Sequence, residues 1–460
     1  MIHLRRALLF TALSLANLFV IYSPDALPAS LFAWTVIREG NVDYDEFTAT
    51  YDRELYFFRA CGTSTATAPS RKPRSPGGPR QPGPNDHVCS IFPPGAAILA
   101  FPFFAPFVLA GAPPDEFLLA GLGKLVASLE EALAAVLLIA AARQITTPRW
   151  AFAIGLLYLL GTSVRTISSQ ALWQHGAAHL LLAASLFVLV RLFVGARVSG
   201  SALFGAGFAL GFAVVVRQTS LVFAFAALAA ILLARRPAHS FAAGALVGVL
   251  PLLGYDLIAF GDPLEQGYGA KPFDTPPLQG LYGLLLSPSR GLFIYSPFLL
   301  FALPPLVRAW RSRATIAPLL RWLGVASVVL LGGYVLYTEW WGGRVFGARF
   351  LSDAFPVLML ALAAGSPARG AARWLFGIAA AWSLLLHTAG ALAYDPNGPT
   401  EINLNFDPAP LLSWSDPQWL VVLSALARPD PRVLVALALS LALFGVLLFT
   451  ERDELQLKSR

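Results

Sequence analysis

Residues 117–142 have the sequence FLLAGLGKLVASLEEALAAVLLIAAA, an apolar run long enough to cross a lipid bilayer. One transmembrane helix needs about 20 consecutive, mostly apolar residues. The rest of the chain has a similar composition, since 57% of its 460 residues are hydrophobic and only 13% are charged. Soluble domains carry about 25% charged residues. The sequence therefore excludes an ordinary soluble enzyme and a disordered chain, and it predicts an all-α polytopic membrane protein.

Comparable apolar segments recur along the whole chain. They lie at residues 7–22, 117–142, 150–164, 176–195, 201–216, 219–234, 240–259, 291–307, 317–338, 350–366, 372–393 and 432–450. We therefore predict about twelve transmembrane helices, in a single domain that covers residues 1–460. One further segment, residues 96–111, is short and contains Pro102 and Pro106, so we predict that it is re-entrant or interfacial.

The basic residues predict an orientation, because cytoplasmic loops carry an excess of Lys and Arg. With twelve spans, the pairs Arg235–Arg236 and Arg311–Arg313 fall on the same side as both termini. The net charge of +7 then reflects basic cytoplasmic loops and not nucleic-acid binding. Both termini are predicted to be cytoplasmic. The longer loops, at residues 23–116, 260–290, 339–349 and 394–431, are predicted to be external.

The first external loop, residues 23–116, contains the only two cysteines, Cys61 and Cys89. Residues 62–88 between them form a Pro/Gly/Arg-rich insert that we predict to be disordered. External cysteines that bracket such an insert form either a disulfide or two unrelated thiols. Their spacing alone does not decide between these two states.

Two acidic features of this loop are candidates for function. Asp25 follows the first predicted span between Pro24 and Pro28, so its carboxylate is either a general base at the outer interface or a solvated helix-end group. Asp43, Asp45 and Glu46 could bind a divalent cation, although a solvated turn is the commoner explanation. No cofactor is indicated with certainty by the sequence, and a divalent cation is the cofactor that these carboxylates could bind.

The predicted second span carries charged residues. Lys124, Ser128 and Glu131 are spaced to share one helical face, and Glu130 is adjacent. Charges are costly at mid-membrane. We predict that they face the protein interior and pair with each other or with other spans.

Cationic and aromatic residues recur at the predicted external ends of spans. Arginine binds phosphate through its planar fork of donors, but Trp also forms ordinary interfacial belts, and a lone His is more often structural. The cations are Arg165, Arg217, Arg290, Arg344 and Arg349, and the other candidates are Trp173, His175, Trp340 and Trp341.

The sequence resembles the GT-C superfamily of membrane glycosyltransferases, which use polyprenyl-phosphate sugars. It is particularly similar to uncharacterised bacterial members related to protein O-mannosyltransferases and aminoarabinose transferases. The resemblance runs along most of the chain. Its motifs are DALP at 25–28, REGNVD at 38–43, FPPG at 92–95, LWQHG at 172–176, SRGLF at 289–293 and the stretch 340–353.

The resemblance implies a GT-C-like fold, whose first external loop carries short interfacial helices, in a bacterial inner (plasma) membrane. It implies an inverting glycosyltransferase with Asp25 as catalytic base. Arg290, Arg344 and Arg349, and more weakly Arg165 and Arg217, would bind the donor phosphate. Asp43, Trp173, His175, Trp340 and Trp341 would contact substrate. The partners would be a polyprenyl-phosphate-linked sugar, a lipid, glycan or protein acceptor, and membrane lipids.

Two alternatives remain open at the level of sequence. A transporter or flippase of a lipid-linked glycan would share the lipid-facing groove and the cations but would need no base. A catalytically inactive scaffold of envelope assembly would need neither turnover nor transport.

Overall fold

A computed structural model describes residues 2–17, 21–53, 55–62, 81–83, 85–269, 272–365, 370–396, 401, 407–427 and 429–457. About 70% of the chain is helical. The α-helices are α1 Ile2–Leu15, α2 Leu27–Trp34, α3 Gly95–Leu109, α4 Glu116–Ala142, α5 Pro148–Leu160, α6 Gln174–Phe193, α7 Gly200–Val216, α8 Leu221–Leu233, α9 His239–Phe260, α10 Pro277–Leu286, α11 Leu292–Tyr295, α12 Leu303–Ala309, α13 Ala317–Leu336, α14 Phe355–Ala364, α15 Ala371–Ala393, α16 Gln418–Leu426 and α17 Pro431–Leu457.

Six helices among the described residues are long and apolar enough to cross a membrane: α4, α6, α9, α13, α15 and α17. Shorter apolar helices, such as α5, α7 and α8, occupy other predicted spans. The predicted α-helical, membrane-embedded architecture is confirmed to this extent, and the count of twelve spans stays a prediction.

Proline explains where two predicted spans are broken. The segment 291–307 divides into α11, a 3₁₀ helix over Pro297–Ala302, and α12. The segment 350–366 begins as a 3₁₀ helix over Phe350–Ala354 before α14. The helical pieces begin next to prolines, and these are Pro297, Pro304 and Pro356, each in the first turn. Proline has no N–H to donate to the preceding turn, so the preceding helix ends there.

Helices α7 and α9 pack with their backbones in contact through glycines. A Cβ atom built on Gly211 would lie 2.1 Å from the carbonyl oxygen of Ala245, and one on Gly244 would lie 2.0 Å from that of Phe204. Gly207 and Gly248 are equally crowded. Each helix therefore presents a small-xxx-small pattern that permits close approach within a membrane.

The first and last helices meet. Nη2 of Arg6 in α1 donates to Oε2 of Glu451 in α17 at 2.7 Å. Arg165, in the segment between α5 and α6, donates to the carbonyl of Leu13 and to the hydroxyl of Ser440, both at 3.2 Å. These contacts bring the start of α1 and the end of α17 to one end of the helical body.

The loop of residues 23–116 contains short helices and a small sheet. A 3₁₀ helix, Pro24–Ala26, leads into α2, and Trp34 of α2 packs edge-on against Phe104 of α3 at 6.1 Å between ring centroids. Strand β1, Phe58–Ala60, pairs antiparallel with β2, Val88–Ser90. This strand pair corrects the prediction of purely α structure, because three-residue strands have too short a pattern to be recognised.

Cys61 and Cys89 are joined by a disulfide bond beside this strand pair. The backbone N–H of Gly62 donates to Ala259 of α9 at 2.9 Å, which ties the pair to the helical body. Within the insert 62–88 that we predict to be disordered, residues 81–83 are buried and residues 85–88 lead into β2. Its remaining part, residues 63–80 and 84, lies outside the described residues.

Candidate functional site

Asp25 lies in the 3₁₀ turn between α1 and α2, where Pro24 occupies the first position. Its Oδ1 accepts a hydrogen bond from the hydroxyl of Tyr56, and its Oδ2 accepts one from Nη2 of Arg349 at 2.8 Å. The side chain of Asp25 is 23% exposed. A carboxylate has about four lone-pair positions, so Asp25 keeps acceptor capacity on an accessible side.

Arg349 connects Asp25 to the helical body. Its Nη1 donates to the carbonyl of Gly342 at 3.1 Å, and its Nε lies 3.3 Å from Nε2 of His175. The guanidinium lies over the ring of Trp173, 5.2 Å from the centroid. Gly342 has a φ of 74°, and this left-handed conformation, which favours glycine, turns the loop so that its carbonyl faces Arg349.

A second carboxylate, Asp353, lies beneath this pair. Its Oδ1 is 2.9 Å from Nδ1 of His175, at the start of α6, and its Oδ2 accepts from Nε of Arg217 at 2.6 Å. The hydroxyl of Thr219 also donates to Oδ2, at 3.3 Å. The side chain of Asp353 is only 3% exposed. Asp353 is therefore buried and hydrogen-bonded, whereas Asp25 is accessible.

The polar cluster continues into the interior through α4 and α6. Nδ1 of His179 lies 2.7 Å from Oε1 of Glu131, whose other oxygen accepts from the hydroxyl of Tyr158. Nε2 of His179 lies 3.8 Å from Oδ1 of Asp353. This arrangement confirms that Glu131 faces the interior and pairs with other helices.

Two more polar residues of α4, Ser128 and Lys124, also have interior partners. Ser128 donates to the carbonyl of Ser169 at 2.9 Å, and Lys124 donates to the side chain of Asn17 in the segment after α1.

The predicted phosphate-binding arginines have different surroundings. Arg217 and Arg349 belong to the cluster around Asp25 and Asp353. Arg290 is 1% exposed and pairs with Glu401 at 2.9 Å, while it also donates to the carbonyl of Gly343 at 3.3 Å. Arg165 bridges α1 and α17, away from Asp25, and Arg344 is exposed. Arg349 is thus the predicted cation in direct contact with Asp25.

The predicted aromatic contacts divide in the same way. Trp173 donates its indole N–H to Ser23, two residues before Asp25, at 2.7 Å. Trp340 is 1% exposed, packs edge-on against Trp341 and closely approaches Gly283 of α10. Trp340 and Trp341 are therefore buried packing residues of the segment between α13 and α14, whereas Trp173 forms part of the Asp25 cluster.

The acidic turn around Asp43 organises the strand pair. Oδ1 of Asp45 accepts from the backbone N–H of Val88 at 2.9 Å, and its Oδ2 lies 2.6 Å from Nδ1 of His87. The hydrogen bond and charge of Asp45 raise the pKa of His87 above its ordinary value. Ligand atoms of Asp43, Asp45 and His87 lie within 4.8 Å of one another, but His87 is exposed, both aspartates are only half-buried, and the contacts of Asp45 serve β2.

Sequence reasoning named His175 but missed Asp353, His179 and Tyr56. Asp353 stands in a predicted span, where ionisable residues mark function, and His179 follows His175 at i, i+4, on the same helical face. Those two signals together would have indicated the buried part of the site. Tyr56 carries no comparable local signal, because its contact with Asp25 spans 31 residues of loop.

No protein-family model and no curated protein shows a significant match to this sequence. The GT-C resemblance therefore stays an expectation that rests on the motifs.

Proposed function

We propose that this chain is an inverting glycosyltransferase that moves a sugar from a polyprenyl-phosphate donor to a lipid, glycan or protein acceptor at the outer face of the membrane. The observation that carries the proposal is the ion pair between Asp25 and Arg349, at 2.8 Å. It brings an accessible proton acceptor next to a cation suited to phosphate, from positions 324 residues apart.

The reaction requires one displacement at the anomeric carbon of the sugar. The acceptor hydroxyl oxygen forms the new bond to that carbon while Asp25 takes the hydroxyl proton. The bond from the anomeric carbon to the phosphate oxygen breaks, and its electron pair leaves with the polyprenyl phosphate. Arg349 stabilises the charge that develops on this leaving group. A single displacement inverts the anomeric configuration.

The same ion pair connects donor binding to the activation of the base. Without donor, the guanidinium of Arg349 stabilises the negative charge of Asp25. A donor phosphate competes for Arg349, because a guanidinium binds phosphate through two parallel hydrogen bonds. Asp25 is then released from Arg349, so its Oδ2 is open to the acceptor hydroxyl when the sugar is in place.

For topology, we propose twelve spans with both termini in the cytoplasm of a bacterial inner membrane. The contact of Arg6 with Glu451 supports an even number of crossings. The disulfide between Cys61 and Cys89 supports an external position for the first loop, because disulfides persist in oxidising compartments. Reporter fusions to the C-terminus, and thiol labelling of that loop in intact cells after reduction, would test both statements.

The decisive experiment measures release of polyprenyl phosphate from a panel of polyprenyl-phosphate sugars by purified protein in nanodiscs. We expect Asp25→Asn to abolish release while folding and yield are unchanged. Glu339→Gln is the matched control, because Glu339 is also an outer-end carboxylate that accepts a tyrosine hydroxyl, from Tyr337 at 3.0 Å. Release that persists in Asp25→Asn would contradict the assignment of the base.

A flippase of a lipid-linked glycan is the second candidate. The buried series Glu131, His179 and Asp353 favours it, because chains of ionisable residues inside membrane proteins often serve proton-coupled transport. Movement of a labelled lipid-linked sugar across proteoliposomes, with no release of polyprenyl phosphate, would support the flippase and contradict the transferase.

A further inference from the structure

We propose that His175, His179 and Asp353 form a binding site for a divalent transition-metal ion, with Zn²⁺ as the best match. Each residue is buried, and one ligand atom from each lies within 4.8 Å of the others. Two imidazoles and a carboxylate suit a borderline metal such as Zn²⁺ and do not suit Mg²⁺ or Ca²⁺, which prefer oxygen ligands. This inference is independent of the proposed glycosyl transfer.

The fold brings the three side chains together from two elements. His175 and His179 are separated by one turn on α6 and therefore share a face, with 6.2 Å between their ring centroids. Asp353 comes from the 3₁₀ turn that precedes α14. Ligands bound to one tetrahedral Zn²⁺ at about 2.0–2.2 Å lie about 3.4 Å apart. The distances of Asp353 Oδ1 from the two imidazole nitrogens, 2.9 Å and 3.8 Å, bracket that value.

His179 supplies the most specific observation. Its Nδ1 is held by Glu131 at 2.7 Å, which is the carboxylate–histidine contact that orients metal-binding imidazoles. Its Nε2 is fully buried, faces Oδ1 of Asp353, and has no hydrogen-bond partner among the residues that the structure describes. With Nδ1 donating to Glu131, Nε2 presents a lone pair toward a carboxylate oxygen. A cation between these two acceptors turns that repulsion into attraction.

The two oxygens of Asp353 have different partners, so that one oxygen is left to bind a metal. Oδ2 is occupied by Arg217 and Thr219, at 2.6 and 3.3 Å. Oδ1 is left facing both histidines. His175 already places Nδ1 against Oδ1 at 2.9 Å, so a metal would take the place of the proton at that nitrogen. The proton would move to Nε2, and the imidazole would then no longer accept from Nε of Arg349.

The local charges also favour a cation. Asp25 is matched by Arg349 and Asp353 by Arg217, whereas the buried carboxylate of Glu131 contacts the imidazole of His179 and the hydroxyl of Tyr158. Glu130 lies beside the cluster, and a Cβ built on Gly176 would be 2.9 Å from its Oε2. Neither oxygen of Glu130 has a hydrogen-bond partner within the described ranges. Buried carboxylates need compensation by a partner, a proton or a metal.

The test measures metal content in the full-length protein, purified in mild detergent without chelators and analysed by elemental mass spectrometry. We expect about one equivalent of Zn²⁺ per chain in the wild type and loss of most of it in His179→Ala. His387→Ala is the matched control, because His387 is also a fully buried helical histidine but hydrogen-bonds Ser296, at 3.0 Å. It should keep the metal.

A second measurement needs no variant. Chelator-treated wild-type protein reloaded with Co²⁺ should show visible absorption bands of a low-symmetry N/O site and a higher melting temperature than the metal-free form. Wild type that holds less than about a tenth of an equivalent and gives neither Co²⁺ bands nor a shift in melting temperature would overturn the proposal. Full metal content in folded His179→Ala would also overturn it. A metal-free wild type would indicate that His179 is protonated instead.

Discussion

Nε of Arg349 lies 3.3 Å from Nε2 of His175, and this contact joins the accessible carboxylate Asp25 to the buried carboxylate Asp353. Arginine can only donate, so Nε2 of His175 accepts and its Nδ1 carries the proton that faces Asp353. The tautomer of one imidazole therefore couples the two acidic groups. We therefore expect a substitution at Asp353 to alter the contact of Arg349 with Asp25.

Arg349 should be more sensitive to substitution than the other predicted arginines. We expect Arg349→Lys to lower kcat/KM by about 100- to 1,000-fold, because a lysine cannot bind a phosphate through the two parallel hydrogen bonds of a planar guanidinium. Steady-state release of polyprenyl phosphate measures the effect. Arg344→Lys, at an exposed position two residues beyond Gly342, is the control and should stay near wild type. Equal losses in both variants would contradict the role of Arg349.

Tyr56 should help Asp25 as a neutral donor. Partial burial and the charge of Asp25 raise the pKa of Tyr56, so its hydroxyl stays protonated and able to donate beyond the ordinary tyrosine pKa of about 10. We expect Tyr56→Phe to lower kcat/KM by about 10-fold. Between about pH 7 and pH 10 the ratio of wild type to variant should stay constant. A ratio that falls to one as pH approaches 10 would show that Tyr56 ionises normally.

His87 should make the stability of the β1–β2 strand pair depend on pH. Its pKa is raised in the folded state by Asp45, so it binds its proton more tightly there than in the unfolded chain. The stabilisation is complete below the unfolded pKa of about 6.5 and is lost as pH rises through the higher folded pKa. Melting temperatures of wild type and His87→Gln should differ at low pH and converge at high pH. A difference that grows with pH would contradict the ion pair.

The close packing of α7 on α9 predicts that a Gly→Ala substitution lowers the free energy of unfolding at some positions of α7 and not at others. Gly211→Ala would place its Cβ 2.1 Å from a backbone carbonyl oxygen of α9, so the helices must separate. We expect a loss of about 1–3 kcal/mol in the free energy of unfolding. Gly205→Ala, on the same helix, meets no atom within 4 Å and should be neutral or slightly stabilising. Thermal unfolding in one detergent compares the two, and similar melting temperatures would exclude the predicted contact.

The helices were largely predictable, because the length of an apolar segment is a local property. The segment 117–142 corresponds to α4, which begins at Glu116, and 372–393 corresponds to α15, which begins at Ala371. The break of 291–307 follows from prolines that were visible in the sequence. The β1–β2 pair was not predictable, since each strand has three residues and its partner lies across the insert.

The candidate site was predictable only in part. Asp25 was recognised from its flanking prolines, but its partner Arg349 is 324 residues away and depends on tertiary structure. Arg290 has the same side chain and the same predicted external position, yet it is buried against Glu401. Sequence patterns give the type of a charged residue and its approximate position along a predicted span. They do not show which opposite charge it will meet.

The meeting of α1 with α17 has a consequence for biogenesis. Helix α1 leaves the ribosome long before α17, which it contacts, and Arg165 donates hydrogen bonds to groups of both helices. The N-terminal half therefore enters the membrane long before its final neighbour is synthesised. Assembly must keep α1 near α4 in the interim, with the translocon or surrounding lipid covering the surface that α17 will occupy. In a chain truncated before residue 431, the face of α1 that contacts α17 would stay uncovered. We expect quality-control proteases to recognise that exposed helix.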